Sequence, residues 1–398
     1  MSGLSIQSVV DDDIHPPRSG GAQRLFGLAR GLAAHHRVRV LSLVPNRNTA
    51  APREQVAGVE LLRRKAWHTS VAWRLDRLGL APLFTAASGH RGNAARYHAE
   101  LGPEGDVLSC DLNLAGLLGS SAAPLKVYAS QNVEYDRFVA SPARVWRRAY
   151  WSERLRALEG GAVHDADLTV TCSEEDAARM RELYGAGPQA VAVIPNGYDE
   201  TELHPPSETE RQHARAAIGV RQDAHVIVFV GADWGPNREA LAFMVQRVMP
   251  ALAREGAYLL VVGSVGRSLT HTQEAWLRVV GEVPALTPLL HAAEVGVNPV
   301  MSGGGSNVKV PAYLAAGLAV VTTPFGLRGY GPLAAHCVVA EPDALVDALR
   351  TRPLGWHARG EAAPEALREY AWGYLGERLG EIYAARLSGR ATTQRGVV

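Results

Sequence analysis

Short aliphatic runs alternate along the chain with longer stretches in which apolar positions recur every three or four residues, the pattern of a parallel α/β sheet. In the first half, Ser5–Val10, Val38–Val44, Val107–Ser109, Leu125–Ala129, Leu168–Thr171 and Ala190–Ile194 read as strands. Between the first two, residues 20–35 place Leu25, Leu28, Ala29 and Leu32 at helical spacing. The second half repeats the plan, with strands expected at Val226–Val230, Tyr258–Val262, Leu277–Val280, Val295–Asn298, Leu318–Val321 and Val338–Ala340 and a helix near Asn237–Ala253. Turn formers crowd Pro195-Asn196-Gly197-Tyr198-Asp199 and Pro205-Pro206-Ser207, which marks a linker between two domains. The tail, Glu361–Leu387, has helical periodicity through Tyr370, Trp372, Leu375, Leu379 and Tyr383, and residues 389–398 are expected to fray. Two open α/β sheets joined in this way predict a ligand cleft where strand C-terminal ends face each other.

Composition narrows the function more than the fold. The 398 residues are 47% hydrophobic and carry a net charge of +1, an ordinary globular balance. No window reaches the ~18 apolar residues of a membrane span. The run Met1–Asp13 opens as a strand and then an acid cluster, without a basic start and apolar core, so a cytoplasmic protein is expected. Cys110, Cys172 and Cys337 have no metal or disulfide spacing. Residues 14–100 hold 14 Arg or Lys against four acids, a local +10 that either faces an anionic partner or is a solvated arginine-rich surface. Nothing beyond this diffuse stretch speaks for nucleic-acid binding. Within it, Arg63-Arg64-Lys65-Ala66-Trp67 and Trp73-Arg74-Leu75-Asp76-Arg77 mix cations with tryptophan. They suit an anionic acceptor or peripheral membrane contact, or else a packed amphipathic helix.

The strongest chemical signal is Ser302-Gly303-Gly304-Gly305-Ser306-Asn307-Val308-Lys309, after a buried strand and before a helix. Three glycines let the backbone approach a ligand, and the amides that follow suit a diphosphate. Lys309, one of only three lysines beside Lys65 and Lys126, is placed to neutralise a leaving phosphate. The Gly-Lys-Ser/Thr ending of an NTP-hydrolysing loop is missing. A second glycine turn, Pro16-Pro17-Arg18-Ser19-Gly20-Gly21, opens the first long helix without the GxGxxG spacing of a dinucleotide site. Arg18 and Gly20 belong to this turn. Trp234-Gly235-Pro236-Asn237-Arg238 ends another strand, with Trp234 either stacking on a base or sugar or packing in the core. Gln131-Asn132-Val133-Glu134 offers polar groups for sugar hydroxyls, or caps and hinges instead.

Taken in order, residues 16–33, 131–138, 166–176, 193–199, 228–241 and 302–329 resemble glycosyltransferase family 4, the retaining nucleotide-sugar transferases of the GT-B fold. The resemblance implies an α/β chain of two Rossmann-like domains with parallel sheets facing an interdomain cleft: residues 1–200 on the acceptor side and 201–371 on the donor side, with a helix at about 372–388 packing back on the first. It implies that Gly303, Gly304, Gly305, Ser306, Asn307 and Lys309 hold the donor diphosphate, with Trp234 and Asn237 beside them. Glu282 and Val283 would line the base. Gly21 would give an amide to the donor phosphate, Asn132 and Glu134 would serve the reacting centre, and Gln131 would contact the acceptor, with Arg18 and Gly20 also on the acceptor side. No cofactor or metal is implied, because charge stabilisation on the phosphate replaces both a metal and a side-chain base. The partners expected are a nucleotide sugar, with dTDP or UDP as carrier, and a small-molecule, lipid-linked or glycan acceptor.

Two departures bear on activity. Ala312 stands where the family carries a glutamate for the ribose hydroxyls, a loss of about 1.5–3 kcal/mol in donor binding. It points to a donor without a 2′-hydroxyl, to a replacement contact, or to a degenerate enzyme. Gln131 replaces a histidine common in the subset, and glutamine exchanges no proton. The competing reading is a catalytically silent GT-B homologue that acts as a binding or partner protein.

Overall fold

The computed structural model describes residues 3–46, 48–141, 145–269, 272 and 274–395. Met1 and Ser2 of the N-terminal run, and residues 396–398 of the tail expected to fray, lie outside the described residues. The chain divides into two compact units, one of residues 1–195 with 372–398 and one of residues 196–371.

Among the described residues, unit 1 is built on eight strands: β1 (Ser5–Val10), β2 (Arg37–Val44), β3 (Arg53–Val56), β4 (Val59–Lys65), β5 (Val107–Cys110), β6 (Leu125–Ala129), β7 (Leu168–Thr171) and β8 (Val191–Val193). Their order is β3-β4-β2-β1-β5-β6-β7-β8, parallel except for the β3–β4 hairpin. Because side chains alternate across a strand, Val9 of β1 joins one core cluster while Ile6 and Val10 join another on the opposite face. Burial on both faces explains why these strands read as unbroken aliphatic runs.

The β3–β4 hairpin was not expected. Its turn residues Ala57 and Gly58 both have positive φ, 48° and 81°, as a two-residue hairpin turn requires. Its charges hide it in the sequence, since Glu60 pairs with Arg39 and Arg53, and Arg63 with Asp13 and Glu54. Arg63 is therefore a buried structural cation on a strand and is not available to an anionic acceptor.

The principal helices of unit 1 are α1 (Gly20–Ala33), α2 (Trp67–Arg77), α3 (Glu134–Ala140) and α4 (Arg148–Asp165). Ser19 caps α1 by accepting from the Ala22 amide at 3.1 Å.

Unit 2 carries β9 (His225–Val230), β10 (Ala257–Val262), β11 (Leu277–Gly281), β12 (Val295–Asn298), β13 (Ala319–Thr322) and β14 (Cys337–Val339). All are parallel, in the order β11-β10-β9-β12-β13-β14. Val226 and Val228 of β9 pack on one face of this sheet and Ile227 and Phe229 on the other. The chain reverses direction across the sheet between β9 and β12, and in such folds the crevice beyond those strand ends is where ligands sit. Two of the relevant helices are α5 (Gly235–Phe243) and α6 (Lys309–Ala315). The long helix expected to Ala253 is interrupted by a π-helical turn at Met244–Val248.

The tail differs from expectation at both ends. Glu365–Tyr370 forms a separate short 3₁₀ turn, and α7 (Trp372–Arg395) runs on past Leu387 through part of the stretch expected to fray. Helix α7 lies on α1 through glycines. Gly31 and Gly376 face each other so closely that a Cβ on Gly376 would stand 2.6 Å from the Leu32 amide nitrogen. Gly27 in turn receives the Trp372 indole. Leu375, Leu379 and Tyr383 then join the cluster that holds Ile6, Leu28 and Leu32.

Candidate active site

In unit 2, the segments after β9 and β12 meet. Gly303 has φ +122° and Gly305 φ +66°, backbone states that side-chain-bearing residues avoid, so the glycines are used for conformation as well as for space. A Cβ on Gly303 would stand 2.8 Å from Cη2 of Trp234 and 3.2 Å from Cγ of Pro236. Trp234, half-buried, thus lies against the glycine loop.

Lys309 is the first residue of α6 and is 7% exposed. Its Nζ donates to Oδ1 of Asn237 at 2.9 Å and lies 4.6 Å from the ring centroid of Phe229. Asn237 is itself oriented by donating its Nδ2 to the Ala232 carbonyl at 3.0 Å. No described carboxylate pairs with Lys309. Burial without a counter-charge pulls its pKa down to about 7. The site therefore holds a nearly dry amine that any incoming anion would charge. Ser306, also buried, has an Oγ without a partner. Seven residues long, α6 is too short to supply much axial dipole, so the local donors and Lys309 carry the electrostatics.

The loop is pinned from the turn-rich segment that reads in the sequence as a linker and as one of the stretches carrying the family resemblance. Asn196, buried at the start of unit 2, donates its Nδ2 to the Ser306 carbonyl at 2.8 Å, and its own carbonyl accepts from Tyr330 Oη at 3.2 Å. Asn after Pro in a turn-rich stretch gave no sign of this tertiary reach. Tyr313 of α6 adds a second tie, its Oη accepting from the Val230 amide at the end of β9 at 2.9 Å. Ser302 donates to Glu239 at 2.9 Å. Glu282 and Val283 lie elsewhere along the sheet, just past edge strand β11. Glu282 pairs with Arg267 at 2.6 Å and Val283 packs against the core cluster of unit 2.

In unit 1, Gly20 and Gly21 are the first two residues of α1 rather than part of the preceding turn. A Cβ on Gly21 would collide with Oε1 of Gln131, so these two predicted residues are neighbours. Arg18 is exposed. Asn132 and Glu134 bond to each other at 2.9 Å, and Glu134 also accepts from Arg137 at 2.6 Å. Its carboxylate is engaged as a local clamp.

The segment is anchored by a residue that sequence reasoning missed. The fully buried Glu159 of α4 accepts from the Glu134 amide at 2.8 Å, the Tyr135 amide at 3.0 Å and Tyr184 Oη at 2.7 Å. It caps α3 from a distance. Burial pushes its pKa up to about 7 against the pull of Tyr184 and the two amides. Glu159→Gln turns one acceptor oxygen into a donor facing donors, and at mildly alkaline pH it is expected to cost about 2 kcal/mol. A thermal melt of the variant beside the parent protein measures this directly.

Comparison with known proteins follows the same division. Residues 19–197 match the model of a glycosyl transferase 4-like domain and residues 224–351 that of glycosyl transferases group 1. The chain is 28% identical over 261 residues to a D-inositol 3-phosphate glycosyltransferase of Thermomonospora curvata, covering 58% of this chain and 60% of that one. It is 26% identical over 275 residues to the same enzyme of Nocardiopsis dassonvillei, 60% of each chain. It thus spans under two thirds of the length of these curated relatives. Among solved structures, sucrose-phosphate synthase from Thermosynechococcus elongatus superposes with a TM-score of 0.74 at 17% identity, over 97% of this chain and 100% of that one. Anabaena Alr3699/HepE in complex with UDP and glucose gives 0.62 at 15% identity, over 96% and 99%. These likenesses establish the GT-B fold.

Proposed function

We propose, for a chain that belongs to the family 4 glycosyltransferases, transfer of a sugar from a nucleotide-diphosphate donor to a hydroxyl acceptor with retention of anomeric configuration. The observation that carries this reading is Lys309, a buried amine beside a glycine loop, oriented by Asn237 and lacking a carboxylate. A diphosphate seated on Gly303–Gly305 would meet the Lys309 ammonium and the partnerless Ser306 hydroxyl. As the sugar–phosphate bond breaks, negative charge grows on the phosphate oxygen, and a pre-placed cation in a dry site stabilises it most at that moment. The same oxygen can take the acceptor's proton, so neither a metal nor a side-chain base is needed. Engagement of Glu134 by Arg137 and Asn132 supports that economy, as does an amide at Gln131.

For the carrier we propose dTDP or UDP. A methyl group at Ala312, which is buried in α6, favours a 2′-deoxyribose. The UDP in the Anabaena structure favours the ribonucleotide. The acceptor is proposed as a small natural product, a lipid-linked sugar or a cell-surface glycan precursor.

Calorimetric titration with UDP, GDP, ADP and dTDP, without added metal, tests the donor reading. One diphosphate is expected to bind selectively and to bring a proton onto Lys309. Affinity is therefore expected to fall on the order of tenfold between about pH 7.5 and 9, and heats should differ between buffers of unlike ionisation enthalpy. Absence of binding at millimolar concentration would hand the chain to the silent-homologue reading.

A further inference from the structure

We infer that unit 1 docks peripherally on an anionic bilayer through the outward face of α2 and the adjoining Trp146–Tyr150 segment. The placement of residues on α2 is inverted for a surface helix. Its inward positions are Thr69, Ala72 and Leu75, small or only partly buried, whereas Trp67 is 60% exposed, Val71 41% and the following Leu78 70%. At 100° per residue Trp67, Val71, Arg74 and Leu78 fall within about 60° of one another, a single outward stripe. Trp73, at least 100° round the helix from the stripe, and Leu80, just beyond the helix, are also exposed. The Trp146 amide donates to the Gly79 carbonyl at 2.8 Å, which sets Trp146, 63% exposed, and Tyr150 beside the end of the helix. Of the 13 large apolar side chains exposed among the described residues, eight fall between Trp67 and Tyr150.

Charge selects the occupant. Lys65, Arg74, Arg77 and Arg147 surround or interrupt the stripe, and none pairs with a described carboxylate. The Arg147 guanidinium instead lies 5.4 Å from the Trp146 ring centroid and 4.8 Å from that of Tyr150. Asp76 is the sole acid of α2 and bonds to the Leu83 amide. A convex apolar ridge of tryptophan and leucine edged by cations is what an interfacial helix presents to acyl chains and anionic headgroups. A second copy of the chain would bring these cations against their own equivalents, which disfavours self-association. Among the described residues no helix is long and apolar enough to cross a membrane, so the contact is one of surface seating.

Sedimentation of the full chain with phosphatidylcholine vesicles, with and without phosphatidylglycerol, tests this. Each cation near an anionic surface strengthens binding by roughly fivefold, so the anionic vesicles are expected to retain the protein at least tenfold better. High salt should reverse most of that gain. Trp67→Ser with Leu78→Ser, and separately Arg74→Glu with Arg77→Glu, should each lower retention about tenfold or more. Both pairs should leave nucleotide binding unchanged, because they lie outside the glycine-loop site. No preference for anionic vesicles, or retention unaltered in both variants, would overturn the inference. So would a stable dimer, by light scattering, that Trp67→Ser dissolves. None of these readings requires a donor, so failure here is separate from failure of the transferase reading.

Discussion

Lys309→Ala is expected to lower turnover by ~10²–10³-fold, the range found when one pre-placed charge-stabilising group is removed from a reacting centre. The loss should fall mainly on the chemical step, since the amine matters most once the phosphate is leaving. Single-turnover transfer from the donor identified by calorimetry, measured for parent and variant, separates that step from binding. Turnover like the parent's would remove Lys309 from the mechanism. The same residue makes a second expectation with its sign fixed. Its folded pKa, about 7, lies below the ordinary lysine value of 10.5 because the amine is buried. Between those limits the unfolded chain binds more protons, so stability of the nucleotide-free protein contributed by this group rises with pH across that window. Below it, the buried charge is a full burden. Lys309→Met should therefore melt higher than the parent at neutral pH while losing turnover as the alanine variant does, a trade of stability for function.

Gly376→Leu is expected to destabilise unit 1 by more than about 3 kcal/mol, at the upper end of overpacking costs. The reason is that its nearest neighbours are backbone: a Cβ at this position already meets Gly31 and Leu32, which no rotamer change can clear. Gly389 on the same helix has open space around its would-be Cβ. Gly389→Ala should consequently be neutral or stabilising, by up to about 1 kcal/mol from helix propensity. Thermal unfolding of the two variants side by side tests whether packing against α1 holds α7, or helix content alone. Equal melting temperatures would discard the glycine contact as a determinant.

What the sequence made legible follows from burial and from glycine. Strands such as β9 and β10, with aliphatic residues on both faces, stand out because a parallel sheet leaves no polar face to confuse the period. The glycine loop is legible because few other residues tolerate the φ angles at Gly303 and Gly305. The β3–β4 hairpin was hidden for the opposite reason: Glu54, Glu60 and Arg63 sit in strands whose polar positions are satisfied by one another. Asn196 and Glu159 were invisible because their partners lie 110 and 25 residues away, and a residue type alone does not announce so distant a bond. The two tryptophans of α2 were ambiguous until their exposure was known, since the same pattern serves a buried face equally well.

Unit 2 is one continuous stretch of chain, whereas unit 1 needs Trp372 and the helix that follows it to cover α1. During synthesis the first 195 residues therefore leave the ribosome with Gly27, Gly31, Leu28 and Leu32 uncovered, and unit 2 has all of its strands before unit 1 has its last helix. A chain truncated after residue 371 would carry a complete unit 2 and a unit 1 with α1 uncovered. Proteolytic clipping between Trp372 and Tyr383 would act in the same way on the mature protein, uncovering α1 at a place far from the cut in the sequence.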